Sequence, residues 1–179
     1  MLRVRFVMIA VSAVGMLIGP VTGVALASRG GGIAVRTVSS RTYEASVSIP
    51  ASWRPTPYYA GEVAYDGLSG WLELNAATGS DGLRQACQGV ATDNVLHPYG
   101  LHPHIVFRTI AGRPGCLIYP SADAVKQSRR AHGPAFATSS ALVSYRHPVS
   151  IGGTRCALLE VDADPSHLVA IADSLRLLP

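Results

Sequence analysis

The sequence predicts an α+β domain in which a mainly antiparallel sheet is packed by two helices. Three observations carry that expectation. Alternating apolar and polar runs outnumber helical stripes, several connections between them are short, and the two helical stripes fall at separated points of the chain. Tyr43, Ala45, Val47 and Ile49 alternate with Thr42, Glu44, Ser46 and Ser48, the pattern of a strand with one dry face. Residues 50–57 close it with proline turn chemistry, Trp53 acting as an apolar plug. A second strand spans 69–76, with Leu72, Leu74 and Ala76 opposite Trp71, Glu73 and Asn75. Ser80 and Asp81 offer side-chain oxygens to cap a helix, whose Leu83, Ala86, Cys87, Val90 and Ala91 share one side.

Strands follow over 104–111 and 116–119, separated by Gly112-Arg113-Pro114-Gly115. Residues 121–133 read as a mobile loop. Further strand spans 135–145 and 149–151, and Gly152-Gly153 turns a hairpin into a strand over 154–163. Asp164-Pro165 then opens the last helix as cap and first-turn proline, with Leu168, Ile171, Ala172 and Leu175 as its buried stripe.

The chain has 179 residues, 48% of them hydrophobic and 15% charged, with a formal charge of +4. Much of the apolar excess lies in residues 1–27. There Arg3 and Arg5 precede an apolar run that ends Val24-Ala25-Leu26-Ala27, the pattern of a secretory signal peptide, or of an N-terminal anchor if it is kept. Residues 28–40, with Gly30-Gly31-Gly32, read as a flexible leader, and 41–179 as a single domain. The remaining charge is too mild for a nucleic-acid footprint, and the chain is too apolar for bulk disorder. Of three cysteines, Cys87 points inward from its helix and Cys116 sits in the apolar run Cys116-Leu117-Ile118-Tyr119. These two are the favoured bridge, contributing about 3–4 kcal/mol in the chain-entropy treatment, with Cys156 left over.

Several turns and stripes resemble a broad group of bacterial secreted domains with the PsbP-like α/β/α-sandwich fold. They are Ile49-Pro50-Ala51-Ser52-Trp53, Pro98-Tyr99-Gly100, the segment Gly112 to Asp123, Tyr145 to Val149, and Ile171 to Arg176. The resemblance covers most of 41–179. It implies an extracytoplasmic domain of envelope or sensor proteins and supplies no catalytic residue.

Three constellations hold chemistry-bearing side chains. His97, His102 and His104 stand within eight residues around Pro98 and Pro103 and would suit Zn²⁺ or Cu²⁺, against the plainer reading of a rigid polar loop. Glu160, Asp162 and Asp164 alternate along one strand face, suited to Ca²⁺ or acid/base work; the plainer reading makes Asp164 a helix cap and the other two a solvated face. Lys126, Arg129 and Arg130 would touch an anionic wall polymer or lipid headgroup, or simply face water. Hydrolase signals are sparse: Gly67-Leu68-Ser69-Gly70 is an incomplete nucleophile elbow, and Ser121 with Asp123 has no histidine nearby in sequence. No cofactor is implied. The expected function is that of an exported, non-catalytic envelope domain acting by surface binding of a ligand or protein partner. A metal-binding protein and a secreted hydrolase are the alternatives.

Overall fold

Period-two patterning dominates the chain, and strands dominate the fold. A computed structural model describes residues 33–56, 63–67, 70–93, 99–132 and 137–179. Among them the elements are β1 (Val35–Ser40), β2 (Ala45–Pro50), β3 (Arg54–Pro55), β4 (Val63–Gly67), β5 (Gly70–Ala77), α1 (Leu83–Ala91), β6 (His104–Ile110), β7 (Arg113–Tyr119), α2 (Ala122–His132), β8 (Ser139–Ile151), β9 (Thr154–Ala163), α3 (Leu168–Ser174) and β10 (Arg176–Leu177). Seven strands form one antiparallel sheet in the order β3-β4-β5-β9-β8-β7-β6, and β1-β2-β10 form a second, smaller one. This is an α+β arrangement, mostly antiparallel sheet with three helices, of which α1 and α3 pack on strands.

The central strand, β9, sorts its side chains strictly. Leu159, Val161 and Ala163 enter a large core with Leu72, Leu74, Leu117, Ala141 and Val143. Against that face pack Ala45, Val47 and Ile49 of β2 and Leu168, Ile171 and Ala172 of α3. Each fully buried leucine here stabilises the fold by roughly 1.5–3 kcal/mol relative to an exposed one. Trp53 is wholly buried in the same core. The opposite face of β9 carries Leu158, Glu160 and Asp162. Helix α1 lies over β6, β7 and β8 on this side, and Cys87, Val90 and Ala91 meet Cys116, Ile118, Leu142 and Leu158 in a much smaller core. Cys87 and Cys116 are joined, with Sγ–Sγ 2.00 Å, and Cys156 is a buried free thiol.

Several elements depart from the sequence expectation. Residues 35–40, read as the end of a leader, pair along their whole length with β2 as β1. A hairpin partner for β5, β4, precedes it and was not foreseen. The turn between β6 and β7 is Ala111-Gly112, both at positive φ (51° and 72°), and β7 runs straight through Pro114. That proline is tolerated because pairing of β7 with β8 begins one residue later, at Gly115. The two strand pieces expected around residue 147 form one strand, β8, whose register to β9 shifts between Ser144 and Val149.

The largest correction concerns residues 121–133, where the expected loop is replaced by helix α2. Ser121 Oγ accepts the Ala124 N–H at 3.3 Å, the geometry of an N-cap, and Asp123 lies in the first turn where the helix dipole favours a carboxylate. Helix α1, conversely, begins without the expected cap. Its first flanking residue is Gly82, and neither Ser80 nor Asp81 bonds to its end.

Candidate functional site

Strand registry brings together on the α1 side of the large sheet residues that the sequence scatters. Asp162 pairs with Glu73 on one side and Ser140 on the other, and Glu160 with Asn75 and Leu142. Because side chains alternate along each strand, Glu73, Asn75, Glu160, Asp162 and Ser140 share one face. Tyr99, buried at the end of the connection after α1, reaches onto that face.

A hydrogen-bonded chain links them. Ser140 Oγ donates to Asp162 Oδ1, which leaves the Tyr99 phenol to donate to Ser140 Oγ. Asn75 Nδ2 donates to Asp162 Oδ2 at 3.1 Å. Burial raises the Tyr99 phenol far above its ordinary range, and Asp162 and Glu160 add to this, so Tyr99 remains an O–H donor. Burial, followed by the charges of Asp162, Glu73 and Asp93, pushes the Glu160 carboxyl well above the usual carboxylate range. Glu160 and Asp162 are half-buried, so their face is only partly the solvated one expected. Tyr99 and Ser140 are buried and bonded to one another, so the groups this face can offer a ligand are the half-buried side chains of Glu73, Asn75, Glu160 and Asp162.

Asp164, the third carboxylate of the alternating run, goes elsewhere. It is 2% exposed. The expected cap and first-turn proline are not found: α3 begins at Leu168, its first flanking residue is His167, and residues 165–167 form a turn ahead of it. The Asp164 carboxylate accepts the Trp71 N–H at 3.2 Å and the Ser166 N–H at 3.1 Å, while its carbonyl accepts the His167 and Leu168 N–H groups, both at 3.2 Å. His167 Nδ1 lies 2.9 Å from both carboxylate oxygens, and its ring meets Trp53 edge-on at 5.0 Å between centroids. Gly70 backs the pair, where any Cβ would collide with the Asp164 carboxylate. A histidine–aspartate pair suits general-base chemistry, but Ser166 Oγ stands 3.1 Å from the same Nδ1 that faces Asp164. A relay would need a hydroxyl at Nε2 instead, so Ser166 completes no Ser–His–Asp relay. Sequence reading missed His167; its spacing of three from the Asp just past the last strand is the signal that was there.

The remaining candidates are dispersed. His97 lies outside the described residues; His102 and His104 are exposed, and His104 stacks on Tyr119 at 6.4 Å. Among the described residues no group of three or more His, Cys, Asp or Glu side chains is placed to hold a metal ion. Lys126 is exposed on α2, and the side chains of Arg129 and Arg130 lie outside the described set. Ser121 caps α2, a structural task. Ser69 of the incomplete elbow lies outside the described residues, as does the apolar N-terminal segment. Among the described residues no helix is long and apolar enough to cross a membrane. A bridged cysteine pair is the usage expected where folding occurs in an oxidising compartment. Compared with known proteins, the chain matches no family, no curated protein and no solved structure.

Proposed function

We propose that the chain is an exported α+β domain of the bacterial envelope, PsbP-like in its sandwich, that acts by binding and not by catalysis. The observation that carries this reading is the Tyr99–Ser140–Asp162–Asn75 chain with Glu160 beside it. Polar groups cost free energy on a sheet face unless bonded, and a plain structural face would be filled with apolar residues, as the opposite one is. The ligand is neutral or cationic and rich in hydrogen-bonding groups, because three carboxylates, Glu73, Asp93 and Asp162, act on this region and oppose an anion. Export is supported by the signal-like N-terminus and the buried bridge.

The test is capture of envelope components, wall fragments included, on the immobilised protein, run beside Asp162→Asn and Tyr99→Phe. Components enriched by the wild type and lost with both variants support the reading. Equal enrichment on all three, or none on any, contradicts it.

A further inference from the structure

The large sheet ends differently on its two sides. Its β3 edge is two residues long and ends in Pro55, which has no N–H to offer, a blunted edge of the kind that prevents pairing. Its β6 edge is seven residues long, His-Ile-Val-Phe-Arg-Thr-Ile, with no proline or glycine. Registry to β7 is unbroken from His104↔Tyr119 to Ile110↔Arg113, so no bulge twists the edge away. No described strand pairs with its outer side.

The turn fixes which backbone groups face outward. Ala111 and Gly112 both have positive φ in a two-residue hairpin loop, so Ile110 and Arg113 form a hydrogen-bonded pair. Pairs of this kind recur at every second residue, which directs the N–H and C=O of His104, Val106, Arg108 and Ile110 toward β7. Those of Ile105, Phe107 and Thr109 point away from the sheet. Three donors and three acceptors are centred on Phe107, itself 41% exposed.

We propose that this edge pairs with the same edge of a second copy, antiparallel about Phe107, joining two seven-stranded sheets into one. In that register Phe107 opposes Phe107 of the partner subunit, and Ile105 opposes Thr109 of the partner subunit. All three are outward-bonding positions, so six backbone hydrogen bonds close at once. Val106 opposes Arg108 of the partner subunit, so no like charges stand directly across. Arg108, the strand's one formal charge, is already neutralised within its own chain by Asp173 at 2.7 Å, which lets two copies of a basic protein approach. Arg84 lies over the Phe107 ring at 4.5 Å. Leu101, 85% exposed just ahead of β6, extends the apolar margin.

Sedimentation equilibrium of the purified protein over a wide concentration range tests this, beside Thr109→Pro and Thr109→Val. The Thr109 N–H faces away from β7, so proline there removes an outward donor while leaving the β6–β7 ladder intact. The wild type and Thr109→Val are expected to dimerise, and Thr109→Pro to associate roughly tenfold more weakly or less, a change of about 1.4 kcal/mol. Amide exchange supplies a reading that does not depend on the variant folding. Rates at Ile105, Phe107 and Thr109 should slow as concentration rises, while Val106 and Arg108 do not change. A wild type that stays monomeric throughout, a dimer indifferent to Thr109→Pro, or concentration-independent exchange at the three outward amides overturns the proposal. So does pairing of this edge only with a peptide from another protein.

Discussion

The two faces of the large sheet are built on different principles. One is closed by β2, α3 and the wholly buried Trp53, a continuous apolar core with no covalent help. The other is covered by a helix of nine residues with no side-chain cap at its N-terminus, a small core of which two members are the bridged Cys87 and Cys116, and a row of bonded polar groups. A short helix is marginal on its own account and depends on packing. The comparison teaches that the bridge stands where apolar burial runs short, and that burial runs short where the surface is given over to carboxylates, Tyr99 and Ser140.

The sharpest way to break the comparison is to attack each face in turn. Trp53→Ala should destabilise the protein by about 3–5 kcal/mol in denaturant unfolding, because it empties the larger core. A loss under ~1 kcal/mol would mean that this face is not the principal support. Replacing both Cys87 and Cys116 with alanine should remove about 3–4 kcal/mol, the loop-closure contribution of the bridge. Far-UV circular dichroism should retain its strand signal. Loss of the whole fold would make α1 part of the primary core and erase the distinction.

Smaller effects sharpen it. Glu160→Gln should raise stability at pH 8 by on the order of 1 kcal/mol, since a carboxyl that resists ionisation in the fold ionises freely when unfolded. The sign follows from proton counts. With its folded pKa raised, Glu160 holds a proton that the unfolded chain releases above the usual carboxylate range, so its contribution is fully present at low pH and lost as pH rises toward the raised value. Urea midpoints across pH 4 to 8 should therefore fall less steeply in the variant; an unchanged slope would place Glu160 in water. Tyr99→Phe should cost about 0.5–1.5 kcal/mol, the value of one net hydrogen bond, read as a thermal shift with unaltered fold. No shift would mean that Tyr99 and Ser140 are not bonded.

Much of the apolar face was legible in the sequence, because it is written in local periods. The strand at 154–163 and the stripe Leu168, Ile171, Ala172 and Leu175 needed only alternation and a helical repeat. The polar face was legible only in part. Glu160, Asp162 and Asp164 announce a shared side of one strand, but their neighbours Glu73, Asn75 and Ser140 come from strands far away in the chain, and registry alone joins them. Asp164 leaves the set because the strand ends beneath it and the turn carries it to Trp71 and His167. Helix α2 was hidden for another reason. The cluster Lys126, Arg129 and Arg130 reads as a wet loop, although Ser121 and Asp123 supply a helix start. β1 was hidden by the glycine-rich stretch just before it.

Amide hydrogen exchange on oxidised and reduced protein tests the division of labour most directly. The account predicts that reducing Cys87–Cys116 strips protection from α1, and from β7 beneath it, while β2, β9 and α3 keep theirs. Protection lost evenly across both faces, or not lost from α1 at all, would contradict it.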